Sequence, residues 1–496
     1  MKDYRELKNK FKEYGLLNDI NGILSWDMAT MMPTFSRKHR INQINTINEN
    51  KKRIFDELKK SELFDKIDKE KLSIEDKKNF SLMKKKFDYF DSIPIKIINK
   101  KSILEIECEG LWRKARQESS FKVVSKKFSQ LVNIVKEESK ILSDTWQKSK
   151  YDSLVYKYDA SLNYRILKKI FDDLHTFLSK NIEKIIAIQE KENLIEINDK
   201  LSEEEQFQIS KFFMKKLGFN FKKGRIDKSL HPFCGGSTED IRITTRFTES
   251  DSFSCFDALM HETGHALYEQ GLPKHWFYQP LGQAGGMSFH ESQSLFIEMQ
   301  LIKSINSSKF IEDYVKKKFN RHEACWNSEN IYKSRTKVKK NFIRVDADEV
   351  QYPLHIIHRF NIEYEIIEKD ESVECLPDIW NHNFKKIFNF NVTNDNVGCL
   401  QDIHWYHGDF GYFPTYTIGA LIAAQLRYTI EKKNSNFRTL LEFGEFNQIT
   451  NWLKKNFHNK GSLFKLNELM ENITGDKLST KFFKNHIIER YIERKF

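Results

Sequence analysis

Proline and glycine are scarce: the 496-residue chain carries only 8 Pro and 19 Gly. An architecture built on many tight hairpins is therefore excluded, and a mainly helical one is favoured. The six cysteines, Cys108, Cys234, Cys255, Cys325, Cys375 and Cys399, form no Cys-x-x-Cys pair, and a chain this large needs no disulfide framework. No apolar run reaches the roughly 18 residues of a membrane span; the longest candidate, near Ile418 to Leu426, is too short. The start, Met1-Lys2-Asp3-Tyr4-Arg5, is charged, unlike an apolar signal segment. No repeat, low-complexity tract or Pro/Gly-rich linker forces a domain boundary. These absences predict a cytoplasmic protein in reducing surroundings, without a membrane partner.

What is abundant is helix-forming and apolar. Hydrophobic residues make up 39% and aromatics 13%, including 40 Phe, enough to bury a sizeable core. The net charge is +12, from 82 basic and 70 acidic residues. The basic residues are interleaved with acids, so the balance reads as a solvated surface. Lys84-Lys85-Lys86 and Lys337-Val338-Lys339-Lys340 are short runs of that kind. Residues 1 to about 230 read as successive amphipathic helices, as in Leu167 to Leu178, where apolar positions recur at spacings of three and four.

Texture changes at His231. His231 to Ser237 is a turn-rich loop, and Asp240 to Phe247 alternates as a half-buried strand. As an edge strand it could hold an extended peptide by main-chain hydrogen bonds. A helix follows, with Ser252 or Ser254 as its expected cap and Gly271 and Pro273 as its expected end. Phe256, Met260, Thr263 and Leu267 form its core-facing stripe. From about Ser288 the chain returns to helices, interrupted at Gly398 to Thr417.

That helix carries His261-Glu262-Thr263-Gly264-His265. Histidines four apart project from one helix face, and both imidazoles can reach one tetrahedral ion. Glu262, turned about 100° away, cannot easily join them but can act on a metal-bound water as general base. About 0.03 such matches are expected by chance in a chain of this histidine content. Gly264 inside a helix costs about 1 kcal/mol relative to Ala, which points to something packed against the backbone. A catalytic zinc wants a third protein ligand. Glu291 in His290-Glu291-Ser292 is the first choice, with His290 a rival and a capping box from Ser288 to Glu291 the alternative. Asp257, one turn before His261, could orient that imidazole.

These residues, taken with others, resemble the Taq-type metallocarboxypeptidases. The matching motifs are His231-Pro232-Phe233, Asp240-x-Arg242-x-Thr244, His261-Glu262-x-x-His265 and His290-Glu291-Ser292. They continue as Ile343-Arg344-x-x-Ala347-Asp348-Glu349-x-x-Tyr352 and Gly398-x-x-Gln401-Asp402-x-His404-Trp405. Looser likeness covers Trp26-Asp27, Met32-Pro33 and Trp112 to Arg116. The resemblance implies a mainly α, two-lobed helical body with a deep active-site groove and a small β-sheet, similar to neurolysin and angiotensin-converting enzyme 2. It implies one catalytic unit over 1–496: helices to about 230, a metal-site core over 231–420 and C-terminal helices over 421–496.

The activity implied is a metal-dependent carboxypeptidase of broad specificity, poor on C-terminal Pro, removing C-terminal residues one at a time from peptides with a free C-terminus. One Zn2+ per chain would be held by His261, His265 and Glu291, with Co2+ able to substitute, and Glu262 would activate the water. A homodimer is common in the family. His231, His404, Tyr412 and Tyr416 are candidate donors to the oxyanion, and Arg344, then Arg242, candidate anchors for the substrate carboxylate. Two departures stand out: Tyr406-His407, where small residues are expected, and Leu295, in place of a basic residue. His407 could bring a second titrating group near the groove. The neighbouring alternative is an endo-oligopeptidase. The alternative outside catalysis is a basic nucleic-acid-binding protein, for which no recognised motif is found.

Overall fold

A computed structural model describes residues 2–229, 232–247 and 251–494. It is a helical body with one three-stranded sheet. The helices that matter for the site are labelled in chain order. They begin with α1 (Lys2–Thr30), α2 (Arg37–Ser61), α3 (Ile74–Ser92), α4 (Ile95–Glu118) and α5 (Lys122–Trp146). Next come α6 (Lys150–Tyr158), α7 (Tyr164–Gln189) and α8 (Glu203–Lys216). The sheet of β1 (Gly224–Lys228), β2 (Phe233–Ser237) and β3 (Asp240–Thr245) follows. After it come α9 (Ser254–Gly271), α10 (Met287–Leu295), α11 (Tyr352–Ile367), α12 (Pro414–Lys433) and α13 (Thr480–Ile487), with further helices between them.

The expected periodicity is met in α7, where Leu167, Phe171, Leu174 and Leu178 are buried at spacings of three and four. Asn163 starts that helix by accepting a hydrogen bond from the Ile166 N–H. Apolar side chains collect into two cores. The smaller joins α1, α2 and α3 through residues such as Phe11, Phe55 and Met83. The larger runs from Ile93 to Tyr491. Asn79 on α3 helps bridge the two parts: it donates to Gln279 Oε1 at 3.3 Å and accepts from the Leu281 N–H at 3.1 Å.

The sheet order is β1-β3-β2. β3 pairs in parallel with β1 and antiparallel with β2, with Ile243 opposite both Ile226 and Cys234. This corrects the edge-strand expectation: β3 is central because Gly224–Lys228 supplies a second partner that its polar sequence conceals. The edges are β1 and β2, and α1 approaches β2. The tight turn from β2 to β3 needs glycine at 236, where φ is +90° and a Cβ would meet the Asp240 carbonyl.

α9 begins and ends nearly as its sequence suggests, with Leu272 and Pro273 beyond Gly271. Its cap differs. Asp251 accepts from the Phe253 and Ser254 N–H groups, while Ser252 instead accepts from the Leu201 N–H. Phe256, Met260, Thr263 and Leu267 are all buried.

Candidate active site

α9 and α10 cross with their backbones nearly touching. A Cβ on Gly264 would lie 2.3 Å from the Gln293 carbonyl oxygen and 2.5 Å from Ser294 Cα. On the far side of α10, a Cβ on Gly419 of α12 would lie 2.9 Å from Glu291 Cβ. Glycine on both flanks clamps α10 and sets where the Glu291 side chain can go. The close approach expected at Gly264 is thus the contact that positions the third carboxylate.

Glu291 turns its carboxylate toward the two imidazoles, not to a backbone cap. Its Oε2 lies 3.9 Å from His261 Nε2 and 3.5 Å from His265 Nε2. One ligand atom from each residue falls within 4.8 Å of the others. Donors about 2 Å from a common ion would be separated by such distances, so two imidazoles and a carboxylate fit a divalent cation. Charge supports the fit. Glu262, Glu291 and Glu298 crowd this buried point, and burial is overcome at His261, where Glu291 and Glu298 lift the ring to about 10. A resident cation would offset the same negative charge.

The other ring nitrogens are held from behind. His261 Nδ1 shares a 2.9 Å hydrogen bond with Glu298 Oε2. His265 Nδ1 shares one with His290 Nδ1, and His290 Nε2 meets Glu269 Oε1 at 2.9 Å. Such contacts fix which nitrogen faces the metal. His290 is therefore a support for His265 and lies behind the trio of His261, His265 and Glu291. Asp257, proposed from sequence as the support for His261, pairs with Arg335 and Lys303, and Lys303 in turn pairs with Glu298 at 2.8 Å. Glu298 was missed from the sequence. It lies in a π-helical stretch, Phe296–Ile302, whose phase α-helical spacing does not give.

A cavity of about 670 Å3 opens over the trio. β2, α9, the start of α12 and Asn18 and Asp19 of α1 contribute to its wall. Glu262 lines it beside the trio, and burial, partly offset by His261, pushes its carboxyl up to about 7. Tyr412 and Tyr416 line the same cavity, and burial holds both phenols protonated. His404 stands behind them and shares a 2.9 Å hydrogen bond with the Tyr416 hydroxyl. Burial and Arg344 lower His404 to about 3, so its ring is neutral.

Arg344 is buried. Its Nε and Nη2 donate to Asp402 Oδ1 at 3.0 and 2.8 Å, and its Nη1 donates to the Tyr352 hydroxyl at 2.7 Å. Arg359 holds the other oxygen of Asp402. Arg242 donates to Asp240 and lies 4.3 Å from the Trp26 ring centroid. His231 lies outside the described residues. His407 sits 3.9 Å from Glu109, and neither it nor the buried Leu295 is among the described residues lining the cavity.

Residues 6–491 match the family model described as carboxypeptidase Taq (M32) metallopeptidase. Carboxypeptidase 1 of Bacillus subtilis is 30% identical over 99% of this chain and 97% of its own length. Thermostable carboxypeptidase 1 of Thermus thermophilus is 27% identical over 98% of each. Among solved structures, metallocarboxypeptidase 1 of Trypanosoma cruzi superposes with a TM-score of 0.95 at 29% identity, covering 99% of this chain and 100% of that one. The match along nearly the whole length, over a cavity built on two histidines and a glutamate, places this chain in the carboxypeptidase Taq (M32) family, as a metallocarboxypeptidase that hydrolyses peptides.

Proposed function

We propose that the chain releases C-terminal residues one at a time from peptides with a free carboxylate, with broad specificity and poor action on C-terminal Pro. His261, His265 and Glu291 hold one divalent ion. The N2O donor set suits Zn2+, with Co2+ able to substitute. When bound, the ion supplies Lewis acidity and makes water a usable nucleophile near neutral pH. Glu262 takes the proton of the attacking water and passes it to the leaving amine. A carboxyl near neutrality is well matched to both transfers. The observation that carries this reading is Glu262's position: it shares the cavity with the trio yet stands outside it.

Tyr412 and Tyr416 donate to the developing oxyanion, with His404 orienting Tyr416; His231 is assigned the same task by the resemblance. Arg344 anchors the substrate carboxylate from behind Tyr352. Three of its five N–H donors are engaged, which leaves two. Arg242 is the second choice. The chain works as one catalytic unit, since residues from Gly15 to Tyr416 line one cavity. We assign it to the cytoplasm, where its six unpaired cysteines would persist, and expect a homodimer. No helix among the described residues is long and apolar enough to cross a membrane.

The test is to measure bound metal and stepwise release of C-terminal residues from matched peptides with free and amidated ends. Metal-dependent release from free ends alone is expected. Efficient turnover of the amides would overturn the carboxylate anchor and favour endopeptidase action.

A further inference from the structure

The run Lys84-Lys85-Lys86 does more than decorate a helix. A second cavity, of about 310 Å3, opens where α3 meets the end of α5 and α6. It shares no lining residue with the active-site cavity. Four lysines face it, Lys69, Lys77, Lys84 and Lys85, against a single acid, Asp88. Asp88 pairs with Lys84 at 2.5 Å, and Glu70 pairs with Lys77 at 2.8 Å. Lys69 and Lys85 have no carboxylate partner among the described residues.

Aromatic rings and a carbonyl hold those two ammonium groups. Lys85 donates to the Tyr156 carbonyl oxygen at 2.7 Å and lies 3.9 Å from that ring's centroid. Lys69 lies 5.4 Å from the Phe80 centroid, and Lys148 lies 4.6 Å from that of Tyr156. Such contacts fix a cation without neutralising it. Burial, with Lys86 adding repulsion, pushes Lys85 down to about 7. Trp146 also lines the cavity, and its enclosed indole N–H has no partner. Lysines without a carboxylate partner and aromatic walls meet in a space at the lower end of the small-molecule range.

We propose that this cavity binds a small phosphomonoester carrying a planar unsaturated ring, with the phosphate on Lys69 and Lys85 and the ring against Trp146. A phosphomonoester brings nearly two negative charges, which meet the Lys69 ammonium and draw Lys85 into its charged form, and lysine serves phosphate as a compact point charge. An aromatic side chain supplies stacking surface that tolerates any base.

Calorimetric titration of the metal-loaded protein tests this with AMP, adenosine, ribose 5-phosphate and inorganic phosphate as probes. AMP is expected to bind at least tenfold more tightly than the other three. Lys85→Gln and, independently, Lys69→Glu at an exposed position should each weaken AMP at least tenfold. Absence of saturable AMP binding would overturn the proposal. So would AMP affinity unchanged in both variants, or inorganic phosphate binding as tightly as AMP.

Discussion

Glu262 and Glu291 are both buried carboxylates at one cavity, and their neighbours shift them in opposite directions. Two imidazoles hold Glu291 ionised, whereas burial leaves Glu262 poised near neutrality. Glu262→Gln should therefore keep its metal and lose activity by a factor of about 1,000 or more. Near-normal turnover in a metal-replete variant would rule Glu262 out as the base. The pairing of His261 with His265 was legible because four-residue spacing puts both rings on one helix face; Glu291, on a separate helix, was only the first choice beside His290 and a capping box. Glu298 was not legible, since it reaches His261 across 37 positions and from a π-helical stretch. Glu298→Gln is expected to weaken metal binding by about 10- to 100-fold. Competition with a chelator measures this directly, and unchanged affinity would show that the contact does not orient the ring. Arg344→Met should chiefly raise KM for free-carboxylate peptides, while Arg359 keeps Asp402 paired. An unchanged KM would remove Arg344 as the anchor.

At the scale of elements, the site depends on how closely α9, α10 and α12 approach. The glycine inside α9 was a readable signal of a near neighbour, though not of which one. Gly264→Ala places a methyl group against the backbone of α10, which cannot swing aside as a side chain would. Overpacking of this kind costs about 1–3 kcal/mol and can cost more. A lowered melting temperature together with weakened metal binding is expected, because moving α10 carries Glu291 with it. Wild-type values for both would mean that the helices can part freely. β3 was recognisable by its alternation, but its central place was hidden. Strand pairing is a long-range property, and β1, with Gly224, Arg225, Asp227 and Lys228, has little strand character of its own. The cap moved for a similar reason: Ser252 has a remote partner in Leu201, which leaves Asp251 to take the helix N–H groups.

Over the whole molecule, composition and periodicity gave the helical class, but the division into two cores, which falls between Phe87 and Ile93, has no Pro/Gly-rich linker to mark it. Glu349 shows how distant segments are tied. It accepts from His486 at 2.9 Å, Arg490 at 3.0 Å and Tyr491 at 3.1 Å, and from Gln300 at 3.2 Å. The C-terminal helices are thereby joined to the approach of α11 and to the stretch that follows α10. Burial alone would raise this carboxyl; His486 and Arg490 reverse that and hold it at about 2. A folded-state value below the unfolded one contributes stability that is present above the unfolded value of about 4.5 and is lost as pH falls toward 2. The depression corresponds to about 3 kcal/mol. Glu349→Gln should therefore unfold at lower temperature than the wild type at neutral pH, by an amount that narrows as pH falls from about 4.5 to 2. Melting followed by circular dichroism across that range reads the gap. A gap that keeps its neutral-pH size at about pH 3 would mean that packing, and not the charge of Glu349, holds the C-terminal helices in place.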